Sequence, residues 1–159
     1  MDLPSNFRLL VIGIGQEWRG DDAAGLLIAR RLREMLGPEL AIQEKSGAAG
    51  DLLAAWQGAA AVILADAVRG GGPPGEIYRF PVHETALPAD LFPATSSHAW
   101  GVAQAVALGQ ALQQLPPFLV VYGIEGQDFG IGQTLSPAVA QAIPRAARLI
   151  RQEIEEFLV

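Results

Sequence analysis

The chain contains no cysteine among its 159 residues. This absence excludes disulfide bonds, thiolate nucleophiles and thiolate ligands for metal ions. Imidazole ligands are also scarce, because His83 and His98 are the only histidines. Any metal ion that this protein binds must therefore be held by carboxylate groups, by these imidazoles or by backbone oxygen atoms.

Long hydrophobic runs and basic surface stretches are missing as well. The first apolar run, 9–15, is far shorter than the roughly 20 residues that cross a bilayer, and no signal-like cleavage region follows it. The formal net charge is −6, and no basic stripe offsets it, so the chain should repel phosphate backbones. We therefore expect a cytoplasmic protein with no membrane partner and no nucleic-acid partner.

Several common enzyme motifs are absent from the sequence. It has no Walker A sequence, no H-E-x-x-H and no G-x-S-x-G. Gly13 and Gly15 begin a G-x-G pattern after an apolar run, and Glu44 stands where a ribose-binding acid would follow. Trp18, however, occupies the position of the third glycine in that motif. A nucleotide- or metal-binding α/β module remains an alternative function. The tryptophan at position 18 argues against the nucleotide.

Apolar segments alternate with helical patterns along the whole chain. The strand patterns cover 8–15, 40–44, 61–68, 76–80 and 118–124. The helical patterns cover about 22–35, 49–56, 99–114 and the segment from the Ser-Pro pair at 136–137 to the end. This alternation predicts one α/β domain over 1–159, a three-layer sandwich around a mostly parallel sheet.

Three ionisable residues follow predicted strands, at the sheet edge where ligands bind in α/β folds. Asp22 comes after the turn GIGQEWRGDD, Asp66 ends VILAD, and His98 precedes the third helix. Two carboxylates and an imidazole suit a divalent ion such as nickel or zinc. Each also has an ordinary structural explanation. Asp21 or Asp22 would cap the first helix, Asp66 would fix a loop, and His98 would be an exposed helix-entry residue.

A series of segments adds specificity to these single residues. In chain order they are GIGQEWRGDDAAG (13–25), SGAAGDLLAAW (46–56), VILADAV (62–68), PPGEIYRF (73–80), SSHAWGVAQAV (96–106), VVYGIEGQDFGIGQTLSP (120–137) and the closing helix. Together they resemble the hydrogenase maturation protease family over almost the whole chain. The first motif, the strand-end aspartate and the S-x-H segment are the distinguishing parts.

The resemblance implies an α/β/α sandwich whose five-stranded mixed sheet has one antiparallel strand, for which 76–80 is the candidate. It implies an endopeptidase that removes the C-terminal extension of a nickel-loaded hydrogenase large-subunit precursor. Asp22, Asp66 and His98 would be the metal ligands and catalytic residues of this aspartic-type site. The substrate would supply the nickel, no separate cofactor would bind, and the enzyme would act as a monomer.

Two positions depart from the family pattern. Gln16 stands where asparagine is common, and Lys45 occupies the place of an aspartate in a D-G-G-T segment. A cation cannot replace a carboxylate as a base or a ligand. Glu44 would substitute only if the strand end shifted by one residue, which reverses the face of the side chain. Lys45 therefore keeps a second alternative open, an assembly chaperone that binds the large subunit without cutting it.

Overall fold

The computed structural model describes residues 8–91 and 101–158, which contain five strands and four α-helices. The strands are β1 (Leu9–Ile14), β2 (Ala41–Lys45), β3 (Ala61–Val68), β4 (Ile77–Pro81) and β5 (Phe118–Glu125). The helices are α1 (Ala24–Leu36), α2 (Ala49–Ala55), α3 (Gly101–Ala111) and α4 (Pro137–Leu158). None of the helices in these ranges has the length and apolar character that spanning a membrane requires.

The strands form one mixed sheet in the order β2-β1-β3-β5-β4. β1 pairs in parallel with β2 and β3, and β3 pairs in parallel with β5. β4 runs antiparallel to β5, which confirms the fold prediction and the choice of the segment EIYRF as the odd strand. The central strands β1 and β3 are apolar on both faces because helices cover them on both sides, whereas the edge strands are half-buried.

Helices cover both faces of the sheet and create two apolar layers. On one face, α1 and α4 pack against side chains such as Val11 and Ile63. On the other face, α2 and α3 pack against side chains such as Leu10 and Val62. Because side chains alternate along a strand, neighbouring residues of β1 and β3 contribute to opposite layers. The result is the three-layer sandwich that the alternation of patterns predicts.

The first helix begins later than its sequence pattern predicts. Residues 20–23 form a 3-10 turn, Gly20–Ala23, and the α-helix starts only at Ala24. The other boundaries agree with the predictions to within a few residues. For α3, the expected start at 99 lies outside the described residues, and the helix ends at Ala111 rather than at 114. The 3-10 turn matters because it carries Asp22.

A buried polar cluster fastens α4 to the sheet. Glu153 of α4 is almost fully buried and accepts hydrogen bonds from the guanidinium group of Arg79 in β4 and from the hydroxyl of Tyr122 in β5. Burial and the neighbouring Glu153 carboxylate raise the pKa of Tyr122, so the phenol stays a donor. The charge of Glu153 is thus compensated where it would otherwise be costly.

Close packing of α1 against the sheet depends on Gly25. A Cβ atom on Gly25 would lie 2.2 Å from the carbonyl oxygens of both Ile14, which ends β1, and Ala65 of β3. A Cβ atom on Gly13 would in turn lie 2.3 Å from the carbonyl oxygen of Gly25. The two glycines therefore let the first turn of α1 rest directly on the two central strands. This contact brings the preceding 3-10 turn to the carboxyl edge of the sheet.

We expect Gly25→Ala to destabilise the protein by about 1–3 kcal/mol or more, because backbone atoms must move to admit the methyl group. Gly50→Ala is the matched control, since a Cβ atom at this position in α2 meets nothing within 4 Å. That variant should gain about 0.5–1 kcal/mol, as alanine favours a helix over glycine. Urea denaturation of both variants measures the free energy of unfolding. Equal stability changes would disprove the close-packing argument.

Candidate active site

Two acidic side chains interact electrostatically at the carboxyl edge of the sheet. Asp66 lies near the end of β3, on the face that α2 and α3 cover, and Asp22 lies in the 3-10 turn that follows β1. Both are half-buried. The charge of Asp22 reaches Asp66 strongly enough to shift its pKa. The structure thus brings together two of the three residues that the sequence predicts as a site.

The surroundings of Asp66 disfavour the ionised form of its side chain. Burial raises the pKa of its carboxyl group well above the ordinary value, and the charge of Asp22 raises it further. A hydrogen bond from the Ala67 N–H group acts in the opposite direction but does not outweigh these effects. Strongly perturbed carboxyl groups of this kind concentrate at functional sites. A divalent cation held by both carboxylates would remove the repulsion between them.

The third predicted residue, His98, lies outside the described residues, as do its neighbours at 92–100. The described residues on either side of this stretch are attached near the same sheet edge. The Leu91 carbonyl accepts a hydrogen bond from the Arg69 N–H group (2.7 Å), just after β3. Gly101 packs on Gly47, and a Cβ atom on Gly101 would lie 1.4 Å from the Gly47 carbonyl oxygen. Within 8–91 and 101–158, no three histidine or acidic residues cluster as metal ligands do.

Asp21 has a different role from its neighbour. Its fully buried carboxylate accepts hydrogen bonds from the N–H groups of Gln127 (2.7 Å), Asp128 (3.0 Å) and Ser136 (2.7 Å). The Ser136 hydroxyl donates a fourth bond, also at 2.7 Å. Burial opposes ionisation, but these bonds outweigh it and lower the pKa of Asp21. Asp21 therefore joins the turn after β1 to the start of α4 rather than capping α1.

Glu125 holds the loop that follows β3, a role that the sequence did not predict. It ends β5 and is almost fully buried. Its carboxylate accepts hydrogen bonds from the N–H groups of Gly70 (2.8 Å) and Gly72 (3.0 Å) and from the Tyr78 hydroxyl (3.0 Å). It thereby shapes the glycine-rich loop after β3, beside Asp66. The available signal was the one used for Asp66, an acidic residue at the end of an apolar strand.

The structure assigns Glu44 to the opposite face from Asp66. Its carboxylate is bound by the guanidinium groups of Arg30 and Arg33 in α1. Burial raises the pKa of Glu44, but the bonds from Arg33 and Arg30 outweigh burial and lower it. The carboxylate that a nucleotide-binding module would need for a ribose is therefore already engaged by two arginines. These bonds also show that Glu44 has not moved to the position of Lys45.

We expect Asp66→Asn to raise the free energy of unfolding at pH 7. The folded carboxyl group keeps its proton to a higher pH than the unfolded one, whose pKa lies near 3.8. Between these two values the folded state binds more protons, so wild-type stability falls as the pH rises. Asparagine removes this loss and can still accept the Ala67 hydrogen bond. Thermal unfolding between pH 4 and pH 8 measures the effect, and a variant less stable than wild type throughout would contradict it.

We expect Asp21→Asn to destabilise the protein by about 2–3 kcal/mol at pH 7, because an amide cannot accept all four hydrogen bonds and is uncharged. A lowered folded-state pKa contributes stability above the unfolded pKa near 3.8, and this contribution is lost as the pH falls through the folded pKa. The deficit of the variant should therefore shrink below about pH 4. Urea denaturation at pH 7 and pH 3 tests this, with the exposed Asp90→Asn as a near-neutral control. A deficit independent of pH would refute the assigned role of the charge.

Structural comparison finds the same architecture in an endopeptidase and in two hydrogenase maturation enzymes. An endopeptidase from Escherichia coli superposes with a TM-score of 0.80 at 25% identity, over 94% of this chain and 93% of that chain. The maturating endopeptidase HybD from E. coli gives 0.76 at 24% identity over the same shares, a likeness of fold. The [NiFe] hydrogenase maturation protease HycI from Thermococcus kodakarensis gives 0.64 at 27% identity, over 91% and 90%.

Sequence comparison gives the family. No curated protein sequence matches the chain. The sequence profile of the family described as hydrogenase maturation protease, HycI, matches residues 31–153. This stretch includes Asp66 and position 98 and begins after Asp22. It covers well over half of the 159 residues. The chain therefore belongs to the hydrogenase maturation protease family.

Proposed function

We propose that this protein is an endopeptidase that removes the C-terminal extension of a hydrogenase large-subunit precursor once nickel has been inserted. In this proposal Asp22, Asp66 and His98 bind the nickel ion that the substrate carries. The observation that supports it best is the pair of mutually repelling carboxylates, Asp22 and Asp66, at the carboxyl edge of the sheet. Family membership supports the peptidase activity and the class of substrate.

The acidic pair would act first as a sensor of nickel. Without a cation, burial and the charge of Asp22 both raise the pKa of Asp66 and oppose its ionisation. A nickel ion arriving in the precursor would offset this repulsion and bind both carboxylates, with His98 as the third protein ligand. The remaining coordination positions would stay with groups of the substrate. A nickel-free precursor would lack this contact, and the difference in binding free energy would provide the checkpoint.

The same contact would position the bond that is cut. Nickel fixed between the substrate and the two carboxylates brings the neighbouring part of the substrate chain to the sheet edge. Holding the scissile peptide there lowers the entropic cost of reaching the transition state. Nickel at this position would supply Lewis-acid chemistry, by polarising the scissile carbonyl group or by acidifying a water molecule. On this view Asp22 and Asp66 contribute to both recognition and cleavage.

Lys45 supports a second candidate function, an assembly chaperone that binds the large subunit without cutting it. Lys45 pairs in register with Ile14, which belongs to the layer under α2 and α3, so its side chain lies on the same face as Asp66. Among the described residues its ammonium group has no ion-pair partner. A cation on this face would leave nickel recognition to the acidic pair but would not serve as a base.

The test is the intact mass of the cognate precursor after incubation with the protein, with nickel loaded and with nickel absent. We expect a C-terminal peptide to be lost only from the nickel-loaded precursor. Asp22→Ala, Asp66→Ala and His98→Ala should each slow cleavage by about 100-fold or more, since even outer-shell changes at metal sites cost about 10- to 100-fold. Thermal unfolding of each variant separates loss of the site from loss of the fold.

His83→Ala is the matched histidine control. His83 follows β4 at the opposite edge of the sheet, and its Nε2 atom lies 2.7 Å from the Pro116 carbonyl oxygen. Its loss should leave cleavage unchanged. Full cleavage by Asp66→Ala would remove Asp66 from the site. Tight binding of a competent precursor without any change in mass would replace the endopeptidase by the chaperone, and a gain of cleavage in Lys45→Asp would then identify the cause.

A further inference from the structure

Trp18 combines two unusual properties. Its side chain is 80% exposed, the largest exposed fraction among the exposed large hydrophobic residues of the described chain. Its backbone has φ +68°, in the left-handed region that bulky residues rarely adopt. Strained backbone of this kind persists only where the surroundings impose it, and it concentrates at active sites and ligand clamps. An exposed indole buries little apolar surface, and a left-handed backbone is unfavourable for a bulky residue. Neither property therefore stabilises the fold.

Hydrogen bonds between two loops impose this conformation. The Gly132 N–H group donates to the Trp18 carbonyl oxygen (2.6 Å), and the Gly20 N–H group donates to the Gln133 carbonyl oxygen (3.1 Å). The Asp21 N–H group donates to the Asp128 carbonyl oxygen (2.8 Å), next to the buried carboxylate of Asp21. The loop after β1 is therefore fixed to the loop after β5. This arrangement presents the indole outward on a rigid support.

An apolar groove lies beside the indole. It encloses about 430 Å³, and its walls include Trp18, Ala23, Leu27 and Leu135. Glu17 and Arg30 also line it and form an ion pair at 2.6 Å. Ile131, the residue before Gly132, adds a second exposed apolar side chain, 76% accessible. We call this group, Trp18 and Ile131 with the groove walls Ala23, Leu27 and Leu135, the Trp18 surface.

The Trp18 surface is continuous with the candidate active site. Gly20 and Ala23, which both line the groove, flank Asp21 and Asp22 in the same 3-10 turn. A chain seated in the groove therefore contacts the turn that carries Asp22. A second groove of about 430 Å³, lined by Arg8 and Leu158 among others, opens at the amino edge of the sheet, away from both carboxylates. Of these two grooves, the first shares residues with the turn that carries Asp22.

We propose that the Trp18 surface docks an apolar segment of the large-subunit precursor, and this inference rests on the proposed function. Nickel coordination alone cannot distinguish the precursor from other nickel complexes, so a protein substrate needs a second contact. Exposed tryptophans contribute a disproportionate share of binding energy at protein interfaces. A rigidly held indole contributes at a low entropic cost, because it is ordered before binding. The surface thus selects the protein, and the carboxylates select its nickel state.

The test compares Trp18→Gly and Ile131→Ser with wild type. Glycine suits the left-handed φ at position 18, so Trp18→Gly should keep or raise the thermal midpoint while it removes the indole. We expect each variant to bind the nickel-free precursor about 10-fold more weakly, measured by calorimetry without cleavage. Leu112→Ser is the control, since Leu112 is 55% exposed but follows α3 at the opposite edge of the sheet. It should bind like wild type.

Unchanged affinity of both variants would overturn the docking proposal. So would weaker binding by Leu112→Ser to the same extent, because the effect would then not belong to the Trp18 surface. Loss of a self-associated form in Trp18→Gly during sedimentation, with precursor affinity unchanged, would overturn it in favour of a second copy of the chain as the occupant.

The docking proposal and the proposed function fail in different ways. If wild type cuts the nickel-loaded precursor and Trp18→Gly cuts it with the same KM, the docking proposal is wrong and the endopeptidase function stands. If wild type binds but never cuts, and Trp18→Gly binds more weakly, docking stands and cleavage is wrong. A titration with nickel ions alone should give the same affinity for Trp18→Gly and wild type, because the carboxylates are intact. A loss there would overturn the assignment of Trp18 to protein docking.

Discussion

The buried carboxylate of Asp21 is the interaction on which the rest of this structure depends. Its four hydrogen bonds join the turn after β1 to the loop after β5 and the start of α4, which lie 106 to 115 residues further along the chain. Because the carboxylate is fully buried, these bonds are made in a low-dielectric environment and are strong and directional. The positions of Asp22 and Trp18 follow from this connection, since both lie in the turn that it holds.

Asp21 and Asp66 are the same residue type in opposite electrostatic situations. Asp21 is buried but fully satisfied, so its pKa is lowered and its charge stabilises the fold. Asp66 is half-buried beside another carboxylate with a single compensating hydrogen bond, so its pKa is raised and its charge destabilises the fold. A protein keeps such an unfavourable group where a ligand compensates it. This contrast is the physical reason for assigning structure to Asp21 and chemistry to Asp66.

In the proposed function, two features of the protein recognise the substrate through different interactions: the acidic pair and the Trp18 surface. The acidic pair responds to the charge of nickel, which is a local and metal-specific signal. The Trp18 surface responds to the apolar surface of a protein, whichever metal it carries. Because both features use the same short turn, a substrate would have to satisfy both at once for its chain to lie at the sheet edge. Glu125 completes the arrangement by holding the glycine-rich loop beside Asp66.

The sequence by itself determined the elements that depend on local patterns. The apolar run that forms β3, the alternation of β4 and the Gly-Pro pair after α1 specify strands and a helix end through contacts with near neighbours, and Asp66 follows from its place at a strand end. Only the tertiary structure decided what depends on distant partners. The structural role of Asp21 could not be predicted, because its hydrogen-bond partners lie 106 to 115 residues away. The glycine that lets the helix approach the sheet is Gly25, not a residue at position 18. Its contact with β3 could not be predicted, because β3 is distant in sequence and no local pattern reveals the contact.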